Sequence, residues 1–334
     1  MARDEGVLLI DFVPPAGQQA GGLQAEQRWS IFLEGPIDEG AAERFAEEVA
    51  SRQVESANVL LNSPGGLLLE GMALGRELRE RGFSTLVARR NEESSATLLP
   101  GTCYSACVFA FLGGAYRFAP AQSRIGVHRF SSLSADADPD VVQRVSATVI
   151  RYIREMGADV DLFERMSRKG KEQILVLGKD DLERLRVVNN GRLTAEWGIE
   201  AEGGALHLKG AQRTSQGYGE VQLSCNDGRV MFQAAFDAGE RAEEIVNYAA
   251  RHSMRFGDGF VPLPEPVQPL SARNGQVSGL FALEPDQLKS LRSSGSIGYA
   301  VYSASAGTLG GFTVDTSARG IESIRNFLSS CPAS

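Results

Sequence analysis

The run Asn58-Val59-Leu60-Leu61 is the feature that most constrains the fold. Apolar residues fill consecutive positions, so a strand built from them needs cover on both faces. Such strands sit in parallel sheets flanked by helices, and the neighbouring sequence supplies both partners. Ser30-Ile31-Phe32-Leu33 predicts a preceding strand. Asp38 is placed to cap a helix whose residues Ala42, Phe45, Ala46 and Val49 share one face. After the apolar run, Asn62-Ser63-Pro64-Gly65-Gly66 predicts a sharp turn. Leu67, Leu74 and Leu78 then keep helical spacing up to Gly82, a C-capping residue. Thr85-Leu86-Val87-Ala88 predicts another strand, the stretch from Ser105 to Leu112 a buried helix, and Arg124-Ile125-Gly126-Val127-His128 a further strand. Asp138-Pro139 opens a long helix with Val142, Val145, Val149, Tyr152, Ile153 and Met156 on its inner face. This βαβα rhythm predicts an α/β fold with helices packed on a mainly parallel sheet.

The rhythm stops near Trp197. Strand-like pieces follow at Val221-Gln222-Leu223, Val230-Met231-Phe232, Gly279-Leu280-Phe281 and Tyr299-Ala300-Val301-Tyr302. Prolines at 262, 264, 266 and 269 force an extended loop between them. A last amphipathic helix carries Ile321, Ile324, Phe327 and Leu328. A chain of 334 residues accommodates two domains. The expected division is an N-terminal extension or strand over residues 1–27, an α/β domain over 28–197 and a smaller α+β domain over 198–334.

Acidic residues outnumber basic ones 42 to 34, a net charge of −8, which excludes a generally basic, phosphate-tracking protein. No nucleic-acid partner is expected. No stretch approaches the ~20 apolar residues of a membrane span. The segment Met1-Ala2-Arg3-Asp4-Glu5-Gly6 lacks the apolar stretch of a signal peptide, which leaves a cytosolic protein or a chain that starts after a removed signal.

Four cysteines fall into two groups. An even count with one cysteine near the terminus favours disulfides and an oxidising compartment. Cys225 follows a predicted strand and Cys331 directly follows the final helix, so a bridge between them would tie a terminal helix to a core strand. That bond would place the protein outside the cytosol, in a bacterial periplasm or secreted; two unpaired thiols would fit a cytosolic protein. Cys103 and Cys107 suit either a bridge or two small buried thiols, and their spacing leaves both open. Zinc has little support, because no Cys-x-x-Cys pair exists and His128, His207 and His252 are scattered.

Three pieces could carry chemistry together. Ser63-Pro64-Gly65-Gly66 ends a buried strand, and adjacent glycines let backbone N–H groups approach a ligand; alone it reads as a tight strand-to-helix turn. Cys103-Tyr104-Ser105-Ala106-Cys107 opens an apolar helix that Gly113-Gly114 follows. A serine there lies at the positive end of the helix dipole, and the next N–H can hold an oxyanion; alone it reads as an ordinary N-cap. His128 ends a strand, and imidazole is the usual base for a serine nucleophile, although a lone histidine is more often structural.

The order of glycine turn, serine at a helix start and histidine at a strand end resembles the Clp-protease/crotonase superfamily, and within it the Clp-type serine peptidases. The Cys-x-Ser-Ala-Cys form resembles Clp-like proteins predicted for the bacterial periplasm. The resemblance covers roughly residues 28 to 190. It implies a Clp/crotonase-like ββα spiral core with the smaller C-terminal α+β domain appended. It also implies Ser105 as nucleophile, His128 as general base, and the Gly66 and Ala106 N–H groups as an oxyanion hole. Acyl transfer on a peptide or protein substrate would follow, with no cofactor and no metal, in a homo-oligomer. The sequence departs from the family in three places. Ile174 stands where the family's third member, an aspartate, belongs; Glu172 is the nearest carboxylate that could orient His128, and Asp180 is less well placed. The Arg89–Pro100 stretch lengthens the interval before Ser105. No docking feature for an ATP-driven unfoldase and no Walker-type phosphate loop is present. The function expected is therefore an ATP-independent serine hydrolase, a peptidase. The competing expectations are a catalytically inactive binding or scaffold protein of the cell envelope and a crotonase-like acyl-thioester enzyme; the Ser105/His128 pair argues against the latter.

Overall fold

The computed structural model describes residues 6–15, 28–94, 97–129, 138–170, 173–202, 205–257, 259–305 and 307–331. Contacts divide the chain into two units, Met1–Gly191 and Arg192–Ser334. Trp197, where the sequence changes character, lies inside the second.

In the first unit β1 (Leu9–Val13) runs antiparallel to β2 (Trp29–Glu34). Helix α1 (Ala41–Ser51) leads to β3 (Ala57–Asn62), α2 (Leu68–Glu80) to β4 (Ser84–Arg90), and β2, β3 and β4 pair in parallel. The apolar run 58–61 is therefore a central strand. Val59 and Leu61 face the main core with Phe45, Leu74 and Phe111, while Leu60 packs on the opposite face with Phe32 and Ala88. Each such side chain, fully buried, is worth about 1.5–3 kcal/mol. After β4, β5 (Leu98–Pro100) folds back antiparallel on it.

A second sheet carries the remaining chemistry. β6 (Thr102–Tyr104) precedes α3 (Ala106–Leu112), then come β7 (Arg117–Phe118), which pairs with β4, and β8 (Arg124–Val127). Helices α4 (Pro139–Glu155) and α5 (Asp161–Ser167), strand β9 (Leu175–Val176) and helix α6 (Lys179–Arg184) complete the unit. β6 and β8 are parallel and β9 is antiparallel to β8. A bridge between Ser63 and Cys103 joins this small sheet to the end of β3.

Two details correct the sequence reading. Asp38 does not cap α1 with its side chain. Its carboxylate takes hydrogen bonds from the Leu8 N–H and from Arg44, and the N-cap is Gly40 in the left-handed region. A charged partner six residues away outcompetes the orphan amides of the helix start. Val142 on α4 is 37% exposed, so the inner face begins only at Val149, with Val145 at its margin. Asp138 and Pro139 do start α4 as expected, the aspartate accepting from the Asp140 N–H.

The helix ends in this unit are tied by two guanidinium groups. Arg117 is buried and donates to the carbonyls of Val187, Gly114, Met156 and Arg186; Arg79 donates to those of Leu112, Gly113, Gly114 and Met156. These carbonyls include those left unpaired where α3 and α4 end, and a cation there also suits the helix dipole. Burial, with repulsion from Arg79 and Arg186, pulls the Arg117 guanidinium down to about 9, so it remains charged at neutral pH.

The second unit is dominated by antiparallel sheet. Strands β10 (Glu196–Glu202), β11 (Ala205–Thr214), β12 (Gly217–Asn226) and β13 (Arg229–Asp237) form a meander, followed by α7 (Ala242–Tyr248) and strands β14 (Arg251–Phe256) and β15 (Gly259–Pro262). Then come β16 (Ser271–Arg273), β17 (Gln276–Ala282), α8 (Pro285–Leu291), β18 (Ser296–Tyr302), β19 (Thr308–Asp315) and α9 (Ala318–Ser330). One sheet has the order β10-β11-β12-β13-β17-β16, the other β15-β14-β18-β19. Pro262 closes the edge strand β15, where its missing N–H costs no ladder bond, and the other prolines follow in a loop. Ile324, Phe327 and Leu328 of α9 join Phe232, Phe281 and Tyr299 in one core. Among the described residues, no helix is long and apolar enough to cross a membrane.

Candidate functional site

Three parallel strand ends meet at one edge of the small sheet. Ser63 continues β3, and its N–H and C=O bond Thr102 and Tyr104 of β6. Tyr104 pairs with Gly126 of β8, and the Ser105 N–H donates to the Gly126 carbonyl at 3.0 Å. The glycine turn, Ser105 and His128 thus all leave the carboxyl ends of neighbouring strands, the usual place for ligand chemistry in α/β sheets.

Ser105 is not an ordinary cap. Its φ of 54° and ψ of −122° lie in a region that costs a non-glycine residue of order 1–3 kcal/mol, and its side chain caps no amide. The surroundings hold it there. Cys103 and Cys107 form a disulfide, with Cα atoms 5.2 Å apart, across the serine. Every residue of α3 is buried. Glycines on α2 bring that helix against α3: a Cβ on Gly71 would stand 2.3 Å from the Ala106 carbonyl oxygen, and one on Gly75 would meet the Phe109 carbonyl oxygen at 2.6 Å.

The glycine turn packs on the serine. Gly65 has φ +103°, and a Cβ there would lie 2.7 Å from the Ser105 Cβ. Gly66 has φ +148°, and a Cβ there would meet the Ile37 carbonyl at 2.1 Å. Both positions demand glycine on conformation and on space. The Gly65 N–H is taken by the Ser63 hydroxyl at 3.1 Å. Neither the Gly66 N–H nor the Ala106 N–H has an acceptor among the described residues. Ala106 follows Ser105 directly, and Gly66 follows the glycine that packs on it.

His128 follows β8 directly and is partly buried. Its Nδ1 lies 2.8 Å from the Arg129 carbonyl oxygen. No hydrogen bond joins it to Ser105, whose hydroxyl has no partner among the described residues. Ile174 lies against Gly126, with its Cγ2 2.4 Å from where a Cβ of that glycine would stand. Glu172 falls outside the described residues. Asp180 is exposed on the first turn of α6, and no described carboxylate contacts His128. The other cysteines, Cys225 and Cys331, are bridged in the second unit, with Cα atoms 5.8 Å apart. Among the described residues no group of three or more His, Cys, Asp or Glu side chains could hold a metal ion. Sequence reasoning did not single out Gly65 as the residue seated on Ser105, nor the Arg129 carbonyl; both act through the main chain, which leaves no residue-type signal.

No protein-family description matches the chain, and no curated protein does. Among solved structures, a variant of the 1510-N membrane-bound stomatin-specific protease is similar over 48% of this chain and 76% of its own, at 15% identity and a TM-score of 0.36. Another variant of it, in complex with a substrate peptide, covers the same share of this chain and 72% of its own, at 15% identity and a TM-score of 0.36. ClpP1 from Listeria monocytogenes is similar over 48% of this chain and 88% of its own, at 15% identity and a TM-score of 0.37.

Proposed function

We propose that the chain is an ATP-independent Clp-like serine hydrolase, a peptidase working through an acyl-enzyme on Ser105. One observation carries this reading. Ser105 is held in a strained conformation at a helix start and pressed against Gly65, and the next residues of both segments, Ala106 and Gly66, have N–H groups without an acceptor among the described residues. A mere cap needs none of these features. In the proposed reaction the Ser105 Oγ attacks the peptide carbonyl carbon while His128 Nε2 takes its proton. The oxyanion rests on the Gly66 and Ala106 N–H groups. Collapse breaks the C–N bond, His128 returns the proton to the leaving amine, and water releases the acyl group by the same route. Catalytic hydrogen bonds often form only once substrate is bound, which accommodates the unpaired Ser105 hydroxyl.

The first unit reads as a Clp/crotonase-like ββα core, supported by the parallel β2, β3 and β4 with α1 and α2 between them. Two disulfides support a site outside the cytosol, a bacterial periplasm in the leading reading. Peptide or protein is the proposed substrate and a homo-oligomer the proposed assembly. The rival reading, an inactive binding or scaffold protein of the cell envelope, draws on the apolar Ile174 beside the histidine strand. Labelling with a fluorophosphonate separates the two. The peptidase reading expects modification at Ser105 and none in Ser105→Ala. It also expects Ser105→Ala and His128→Ala each to abolish peptide-ester hydrolysis, with the double variant no worse. An unlabelled Ser105 in folded protein overturns it.

A further inference from the structure

The register of β8 and β9 fixes what stands beside His128. Gly126 faces Val176 and Val127 faces Leu175, where the ladder ends; continued by one rung, the same register would bring Ile174, which lies against Gly126, opposite His128. Ile174 is 44% exposed and offers no acceptor. The imidazole has instead found one on the main chain, the Arg129 carbonyl oxygen 2.8 Å from Nδ1. Residue 129 is itself anchored, because its N–H donates to the Lys169 carbonyl at 3.2 Å. A carbonyl oxygen can only accept, so in the neutral ring the proton of this hydrogen bond belongs to Nδ1. That leaves the lone pair on Nε2, the nitrogen a serine hydroxyl would need.

We propose that the Arg129 main-chain carbonyl, rather than a carboxylate among the described residues, positions His128 and fixes its tautomer. The proposal rests on the reading of Ser105 and His128 as a working pair. It makes the site a Ser105–His128 dyad oriented by a backbone dipole. A carbonyl carries a partial charge, so it supports an imidazolium less than a carboxylate does. The rung at Ile174 is then the place where a carboxylate would add to the reaction. Ile174 is exposed enough that an aspartate there need not be desolvated.

The test is the tautomer itself. Protein labelled with 15N-histidine is examined by long-range proton–nitrogen correlation at pH 8, with His128→Gln assigning the signal among the three histidines. The expected pattern is Nδ1–H with a bare Nε2, unchanged in Glu172→Gln and in Asp180→Asn. An Nε2–H pattern, or a change of tautomer in either variant, overturns the proposal. Ile174→Asp should raise the rate of Ser105 phosphonylation severalfold, and no gain in a variant that retains the wild-type fold by circular dichroism counts against it. The readouts separate the two readings. An unlabelled Ser105 defeats the hydrolase whatever the ring does, whereas a labelled Ser105 beside an Nε2–H ring defeats only the carbonyl.

Discussion

The two disulfides close loops of very different length, and the difference separates what their regions need. Cys103 and Cys107 are 4 apart in sequence, Cys225 and Cys331 106 apart. In the chain-entropy model the short bridge is worth about 2 kcal/mol and the long one about 5 kcal/mol. The short one also sits where the chain is already held. Cys103 belongs to the β6–β8 ladder, α3 is wholly buried, and α2 is pressed against it. Its main effect therefore falls on the strained residue it encloses, Ser105. The long bridge secures the end of α9, which is otherwise held by the buried Gly320, Ile324, Phe327 and Leu328 and by the hydrogen bond from Arg325 to the Arg292 carbonyl. One kind of bond sets geometry in one region and stability in the other.

That contrast can be broken at its strong end first. Cys225→Ala with Cys331→Ala should destabilise the second unit by about 5 kcal/mol, comparable to the whole stability of a small domain. Amide exchange in β12 and β13 measures this, and full retention of protection would defeat the assignment. Labelling of Ser105 should persist. The first unit has a non-covalent staple instead. Arg117→Met should cost about 3 kcal/mol, because the Arg186 and Val187 carbonyls after α6 lose this donor and those of Gly114 and Met156 keep only Arg79. Chemical denaturation followed in the first unit checks it. Removing the short bridge with Cys103→Ala and Cys107→Ala should cost only about 2 kcal/mol yet slow phosphonylation of Ser105. A variant that lost stability and labelled at the original rate would reverse the roles given to the two bonds.

The parts of this arrangement that could be read from residues are those with a local signature. The apolar run at 58–61, the Asp138-Pro139 start and the face of α9 each follow from patterns within a few residues. The second unit was less legible for a physical reason. β19 reads Thr308-Leu309-Gly310-Gly311-Phe312, and glycines normally argue against a strand. Here they make room for aromatic rings. Phe236 lies over Gly310, and Phe312 over Gly219, so closely that a Cβ would stand 2.9 and 2.2 Å from those rings. β10 and β11 do alternate, with Trp197, Ile199 and Ala201 on one and Leu206 and Leu208 on the other, but the alternation is interleaved with charge and leaves Ile199 and Leu206 exposed, so it marks no clear core face. At the site, Ser105 and His128 stood out by type and order. Gly65 reaches Ser105 from forty residues away through a bridge between strands, a contact that no local pattern announces.

The smallest predicted effect distinguishes the units by pH. His252 on β14 is buried, shares a hydrogen bond with the Tyr299 hydroxyl at 2.7 Å, and lies against the rings of Phe281 and Tyr299. Burial lowers its pKa, and Glu265 opposes this only in part. The unfolded chain, with an ordinary histidine near 6.5, takes up the proton first as pH falls. Folding is therefore disfavoured progressively below about pH 6.5, until the folded pKa is passed, and the full stability is present above that window. Asp38 in the first unit behaves differently. Burial raises its pKa, but the hydrogen bonds from Arg44 and the Leu8 N–H and the charge of Arg44 outweigh this, leaving it lowered. Its contribution is complete above the ordinary carboxylate value of about 3.8 and is lost only as pH falls through the lower folded value. Amide exchange between pH 7 and pH 5 should accordingly show the second unit losing protection before the first, after correction for intrinsic rates. His252→Phe should flatten that dependence. Equal losses in both units, or an unchanged slope in His252→Phe, would remove histidine burial as its cause.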